Sequence, residues 1–294
     1  MLRLNALARG WRALRPWRRG ARPRAAVVIV AYTDLPRLRG CLESVFGKTR
    51  YPGLAVVVVD NSGEESVRRF LGDEARRRPG LTVVLNESNL GFPRAVNLGI
   101  EAAGSCDYLA LLNDDTVVTP GWLGGLLRHL ETPGVELVGP VTNWAGNEAR
   151  VEVAYETMEE MEAFAAAYAR RRRGVIFDIP MLAMYCVAMR RELIDRIGPL
   201  DERFGIGMFE DDDFSHRVRA AGGRVVCAED VFVHHWGRSS FGAMEAEAYQ
   251  RLFDENRRKF EEKWGEPWRP HASRPAGGGV PRPAAPAPAA VYRR

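Results

Sequence analysis

Apolar residues follow two alternating rhythms over the first 115 positions of the chain. Unbroken apolar runs fill "AAVVIVA" (25–31) and "LAVVVVD" (54–60), and shorter ones fill "LTVVLNE" (81–87) and "DYLALLNDD" (107–115). These are strand-length, and no polar alternation marks a solvent face. Between them apolar positions recur every three or four residues: Leu35, Leu38, Leu42 and Val45 share one helical face. "VRRFLGDEARRR" (67–78) and "FPRAVNLGIEAAG" (92–104) predict two more helices, the second with Pro in its first turn and Gly at its end. Strands buried on both faces and separated by helices predict an α/β fold with a parallel sheet and right-handed crossovers.

Residues 116–200 are less regular. "TPGWLGGLLRHLE" (119–131) and "TMEEMEAFAAAYARRRR" (157–173) read as helices, the latter with Met158, Met161, Ala165 and Tyr168 on one face and a solvated arginine end. "MLAMYCVAMRR" (181–191) reads as a strand running into a short helix, and "GRVVCAEDVFVHHWG" (223–237) as a pair of strands. A long amphipathic helix follows, with Tyr249, Leu252, Phe253, Asn256, Phe260 and Trp264 inward.

Composition adds the ends. The chain has 294 residues, 46% hydrophobic and 27% charged, with a net charge of +4. Residues 1–24 contribute eight arginines and no acid, while 25–264 is acidic overall. A basic arm on an acidic body argues against a nucleic-acid-binding core. Leu4, Leu7, Trp11 and Leu14 recur among those arginines as in a helix lying on an anionic membrane; a disordered basic leader is the plainer reading. The Pro/Ala/Gly-rich stretch 265–294 is expected to be disordered. Four widely spaced cysteines fit free thiols in a reducing cytosol. No apolar run is long enough to span a membrane.

Candidate chemistry sits where strands end, because an open parallel sheet binds ligands beyond its carboxyl edge. "AYT" (31–33), "DNSG" (60–63) and "NDD" (113–115) all end strands. Asp60 can accept from an N–H of a bound base, or it can serve as a turn residue. Asn113, Asp114 and Asp115 form a hard-oxygen site suited to Mg²⁺ or Mn²⁺, or a polar loop. His234 and His235 end a later strand and point to opposite faces if it is regular. There is no GxxxxGK[ST] and no GxGxxG after the first strand, which disfavours ATPase and dinucleotide chemistry. Four successive acids, Glu210 to Asp213, precede an apolar-periodic stretch. Glu210 and Asp211 flank its buried stripe, where a raised pKa suits a general base; a helix dipole would also stabilise them. Asp212 points away and Asp213 lies to the side, so Asp212→Asn is expected to be mild.

Six motifs in order, "VVIVAYTDLPRLRGCLESV", "VVVVDNSG", "NLGFPRAVNLGI", "LALLNDDTVV", "GPLDERFGIGMFEDDDFSHRVRAAG" and "VFVHHWGRSSF", give residues 25–245 a resemblance to the family 2 inverting glycosyltransferases of the GT-A fold, particularly bacterial rhamnosyltransferase-like members. The resemblance implies a GT-A domain over 25–264, with one mostly parallel Rossmann-like sheet. Its nucleotide-binding half would be 25–118 and its acceptor half 119–264. The implied partners are a dTDP- or UDP-linked sugar donor and a hydroxyl-bearing glycan or lipid-linked acceptor, with Mg²⁺ or Mn²⁺ as cofactor. It places Ala31, Tyr32, Thr33, Asp60, Asn89, Gly91, Arg94, Asn113 and Asp114 around the nucleotide. Asn113 replaces the first acid of the family's DxD motif. Asp115 is the implied metal ligand, joined by His234 or His235 with His234 preferred. Asp211 falls on the catalytic base, with Glu210 beside it. The implied setting is the cytoplasm, free or peripheral on the inner face of the cytoplasmic membrane, in surface polysaccharide or glycolipid synthesis. The rivals are a nucleotidyltransferase and an inert sugar-nucleotide-binding scaffold; a metal hydrolase built on the His pair lacks His-Glu-x-x-His.

Overall fold

A computed structural model describes residues 23–237 and 244–274. The amphipathic arm, up to residue 22, and the tail from 275 lie outside the described residues. The first half is the expected alternation: β1 (Ala25–Ala31), α1 (Leu35–Lys48), β2 (Leu54–Asp60), α2 (Glu65–Arg77), β3 (Leu81–Leu85), α3 (Phe92–Ala102) and β4 (Tyr108–Asn113). Asp34 starts α1 by accepting from the Arg37 N–H at 3.1 Å, and Pro36 sits in its first turn. The second half holds β5 (Thr116–Val118), α4 (Trp122–His129), β6 (Val135–Val141), α5 (Met158–Arg171), β7 (Ile176–Asp178), β8 (Cys186–Arg190), α6 (Arg191–Ile197), α7 (Glu210–Ala220), β9 (Arg224–His235) and α8 (Ala246–Trp264).

These strands form one mixed sheet in the order β3-β2-β1-β4-β8-β6-β9-β5, with β7 also on β9. Strands β3, β2, β1 and β4 are parallel, whereas β8 runs antiparallel to both its neighbours. The valine runs explain why helices cover both faces. Val28, Val30, Val57 and Val59 pack with α3, α5 and α7, while Val27, Ile29, Val56 and Val58 pack with α1, α2 and α4. β3 is the outer strand on one side, five uncharged residues long, with Leu85 half exposed.

Four expectations need correction. "VELVGPV" is a central strand, β6, that the pattern missed. The presumed strand pair at 223–237 is one strand, β9. Its register on β6 jumps from Pro140↔Ala228 to Val141↔Phe232, so Glu229 to Val231 form a bulge. Tyr249 of α8 is exposed; only Asn256 and Phe260 of that helix are buried. Residues 266–274 are not a loose start to the tail, because Trp268, His271 and Arg274 all contact the body. All four cysteines are free, three of them buried. Among the described residues no helix is long and apolar enough to cross a membrane.

Candidate active site

The parallel registers set three strand ends side by side. Ala31 pairs with Asp60, and Val30 with Asn113. Asp60 is fully buried: Oδ1 accepts from the Ser62 N–H at 3.0 Å and hydroxyl at 2.6 Å, while Oδ2 has no partner. One oxygen therefore makes the turn, and the other is an orphaned buried acceptor able to receive an N–H. Behind it, buried Asn61 gathers the loop at 86–91. Its Oδ1 accepts from Asn86 Nδ2 and the Leu90 N–H, both at 3.0 Å, and its Nδ2 donates to Asn89 Oδ1 at 2.9 Å. Asn89 in turn accepts from the Gly91 N–H at 2.8 Å. Arg94 stays half exposed, 3.9 Å from Glu202.

The acids after β4 divide. Asp114 accepts from the Tyr32 N–H at 2.8 Å, bracing the turn after β1, and burial pushes its carboxyl up to about 7. Asn113 Oδ1 is buried without a hydrogen-bond partner. Asp115 Oδ1 lies 3.2 Å from Nε2 of His235, which pairs across β5–β9 with Thr116.

His235 is held from several sides. Its ring stacks on Tyr185 at 4.9 Å and meets Trp144 edge-on at 5.2 Å, and its Nδ1 lies 3.0 Å from the Trp144 carbonyl. A carbonyl only accepts, so Nδ1 carries a proton, and Nε2 is the ring nitrogen turned to Asp115. Asn143 exchanges two hydrogen bonds with the His235 backbone, at 2.8 and 3.0 Å. His234 points to the opposite face, as strand alternation requires, and its Nδ1 meets the Tyr155 hydroxyl at 2.7 Å. Burial first, then the charge of His235, lowers its pKa to about 4. Of the two histidines, His235 is the one beside Asp115.

The acid run opens α7. Met208 and Phe209 before it both have φ of 74°, a left-handed conformation that side chains rarely adopt. Asn256 of α8 holds that loop by donating to the carbonyls of Phe204 and Gly207 at 2.8 Å and of Met208 at 3.2 Å. Glu210 is buried with Oε2 unpartnered, and burial keeps its carboxyl well above the usual range. Burial, then the charge of Asp212, raises Asp211 to about 7. Asp212 does not point into water: its Oδ1 accepts from the Trp268 indole at 2.9 Å and lies 3.1 Å from His271 Nε2. Asp213 is wholly buried and bound by Arg217, Lys263 and Trp264. The loop before α7 also meets the loop after β3, where the Phe92 N–H donates to the Ile206 carbonyl at 3.0 Å.

The model of the family described as "Glycosyltransferase like family 2" matches residues 23–251. The chain belongs to this family. Among curated relatives it is 26% identical to an uncharacterized protein, y4gI, of Sinorhizobium fredii, over 81% of this chain and 27% of that one. It is 30% identical to the O-antigen biosynthesis protein RfbC of Myxococcus xanthus, over 71% of this chain but 17% of the relative. The chain therefore spans about a quarter or less of these two. The glycosyltransferase AglE of Haloferax volcanii is 23% identical over 74% of this chain and 68% of its own length. Two solved structures share the GT-A fold. GalNAc-T7 with UDP, GalNAc and Mn²⁺ superposes with a TM-score of 0.59 at 18% identity, over 72% of this chain and 44% of that one. The mannosyltransferase PcManGT of Pyrobaculum calidifontis, in complex with GDP-Man and Mn²⁺, gives 0.57 at 19%, over 81% and 65%.

The sequence of this family 2 chain assigned no role to Asn61, Asn86 or Asn143, and placed Asn256 only on an inward helix face. Asn61, Asn143 and Asn256 gather loops through backbone groups distant in sequence, and Asn86 donates to the Asn61 side chain, so only Asn61, inside "DNSG", left a local signal.

Proposed function

We propose that this family 2 chain is an inverting glycosyltransferase, rhamnosyltransferase-like, that moves a sugar from a dTDP- or UDP-linked donor to a hydroxyl of a glycan or lipid-linked acceptor. The observation that carries this reading is Asp211: a half-buried carboxyl in the first turn of α7, just after a loop that packs on the loop following β3, with burial raising it to about 7. A nucleotidyltransferase would have no task for it. Residues 25–118 would hold the donor and 119–264 would shape the acceptor side.

The free Oδ2 of Asp60 suits a nucleobase N–H beside Ala31–Thr33, and the Asn61-ordered loop through Asn89 and Gly91 lies next to it. Asp115 and His235 pair a hard oxygen with an imidazole nitrogen, a donor set that fits Mg²⁺ or Mn²⁺. Among the described residues no group of three or more His, Cys, Asp or Glu is placed to hold a metal by itself, so substrate phosphates would have to complete the shell. When bound there, the ion would neutralise charge on the departing diphosphate.

Asp211 takes the proton of the acceptor hydroxyl. That oxygen bonds to the anomeric carbon from the face opposite the nucleotide as the carbon–oxygen bond to the diphosphate breaks. A single displacement inverts the centre. Burial raises the Glu210 carboxyl well above the usual range, and we assign it an orienting role beside the base.

Melting curves with UDP, dTDP or GDP, each with and without Mn²⁺, test the reading. UDP or dTDP with Mn²⁺ is expected to raise the midpoint by about 5 °C at 100-fold excess over Kd, and Asp115→Ala is expected to abolish the metal-dependent part. No metal-dependent response to any of the three would overturn the transferase.

A further inference from the structure

After α8 the chain continues through 266–274 without helix or strand, yet it is anchored at two points. Trp268 packs edge-on against Phe209 at 5.3 Å and Phe253 at 5.5 Å, and its backbone N–H donates to Glu261 at 3.0 Å. Its indole N–H reaches Asp212. At the other end Arg274 is inserted into the body with its side chain 7% exposed, Nη2 lying 2.7 Å from Oε1 of Glu229. Its Nε donates to the Glu148 and Arg150 carbonyls at 3.1 Å. Glu229 stands on the bulge of β9 and is fully buried; Arg172 lies 3.7 Å from its Oε2 and Tyr168 donates to it, and Arg274 is the cation in closer contact.

Between the anchors, His271 faces the acid run. Helix α7 supplies Glu210, Asp212, Asp213 and Arg219; Arg217 and α8's Lys263 neutralise Asp213. Glu148, from the loop after β6, faces His271 itself. Nothing on α7 or α8 does for Asp212 at contact distance what His271 does at 3.1 Å.

We propose that residues 266–274 are a strap completing the active site, in which His271 is a positioning residue: clamped on Asp212, it offsets the charge that Asp212 would otherwise direct at Asp211. The role presumes that Asp211 is the base proposed above. The electrostatics agree with the geometry. Asp212 is the main charge that raises Asp211, and His271 acts on Asp211 in the opposite sense. Burial disfavours the His271 cation, but the carboxylates of Asp212, Asp211 and Glu148 outweigh it and raise its pKa.

The test is ¹³C NMR titration of the aspartate carboxyls in the full chain, with Asp211 assigned by its absence from Asp211→Asn. His271→Gln and Arg274→Ala should each shift the Asp211 midpoint upward, by about half a pH unit or more. A purely structural strap would change melting without moving that midpoint. An unmoved Asp211 in folded His271→Gln overturns the proposal, and that variant decides even if Arg274→Ala fails to fold. The nucleotide melting series is a separate readout. A shifted Asp211 without any Mn²⁺-dependent response keeps the strap's electrostatic role and removes the transferase reading. A normal nucleotide response with an unmoved Asp211 does the reverse.

Discussion

Asp211→Asn is expected to slow sugar transfer by about 10²–10⁴-fold, the usual worth of a positioned base, while leaving nucleoside-diphosphate binding intact. The substitution is a clean one, because Asp211 Oδ1 accepts from the Asp212 N–H at 2.9 Å and an amide oxygen can do the same. The pH dependence supplies a second signature. A base must be ionised to take a proton, so the wild-type rate should climb as pH rises through about 7 and then level off. That limb should vanish in the Asn variant. Glu210→Gln should cost much less, since burial favours the uncharged carboxyl there and an amide is its near isostere. Steady-state rates of nucleoside-diphosphate release from pH 5.5 to 9 would check all of this. A rate loss in Glu210→Gln exceeding that in Asp211→Asn would exchange the two assignments.

Gly91→Ala should produce the largest loss of stability. Gly91 has φ of 88°, and an added Cβ would overlap the Gly205 carbonyl, with its carbon at 2.7 Å and Ile206 Cα at 3.3 Å. Those are backbone atoms and cannot rotate away. Strain at such a φ added to a backbone clash is expected to cost about 3 kcal/mol or more, lowering the melting midpoint by roughly 6–12 °C. Gly104 offers the comparison: its φ is 60°, but nothing lies within 4 Å of a Cβ there. Gly104→Ala should cost only the left-handed conformation, about 1–2 kcal/mol. Equal midpoints for the two variants would mean that the loops at 91 and 205 do not meet in solution.

What could be read from the chain follows from where each signal resides. β1 and β2 are runs of branched residues buried on both faces, a local property that periodicity detects. β6 escaped because Gly139–Pro140 reads as a breaker, although Pro140 sits where the β9 partner bulges. The same bulge, at Glu229–Val231, made β9 look like two strands. Strand-end acids were legible because the carboxyl edge of a parallel sheet is fixed by topology. The choice between His234 and His235 was not, since it depends on whether His235 or His234 faces Thr116 across β5. Asp212 looked solvated from α7 alone; its cover arrives from Trp268 and His271, inside a stretch whose prolines suggested disorder. Periodicity describes an element's own faces and carries no information about which distant segment lies over them.

The outer strand β3 bears on how the protein behaves in concentrated solution. "LTVVL" pairs with β2 on one side and has no strand partner on the other among the described residues, and it carries no charge or proline to discourage a newcomer. An unpaired backbone edge of this kind is a template for another strand, so concentration matters to how the protein keeps apart from itself. The C-terminal end of β3 feeds the 86–91 loop, but exposed Thr82 sits near the other end of the strand, where a charged residue would discourage pairing.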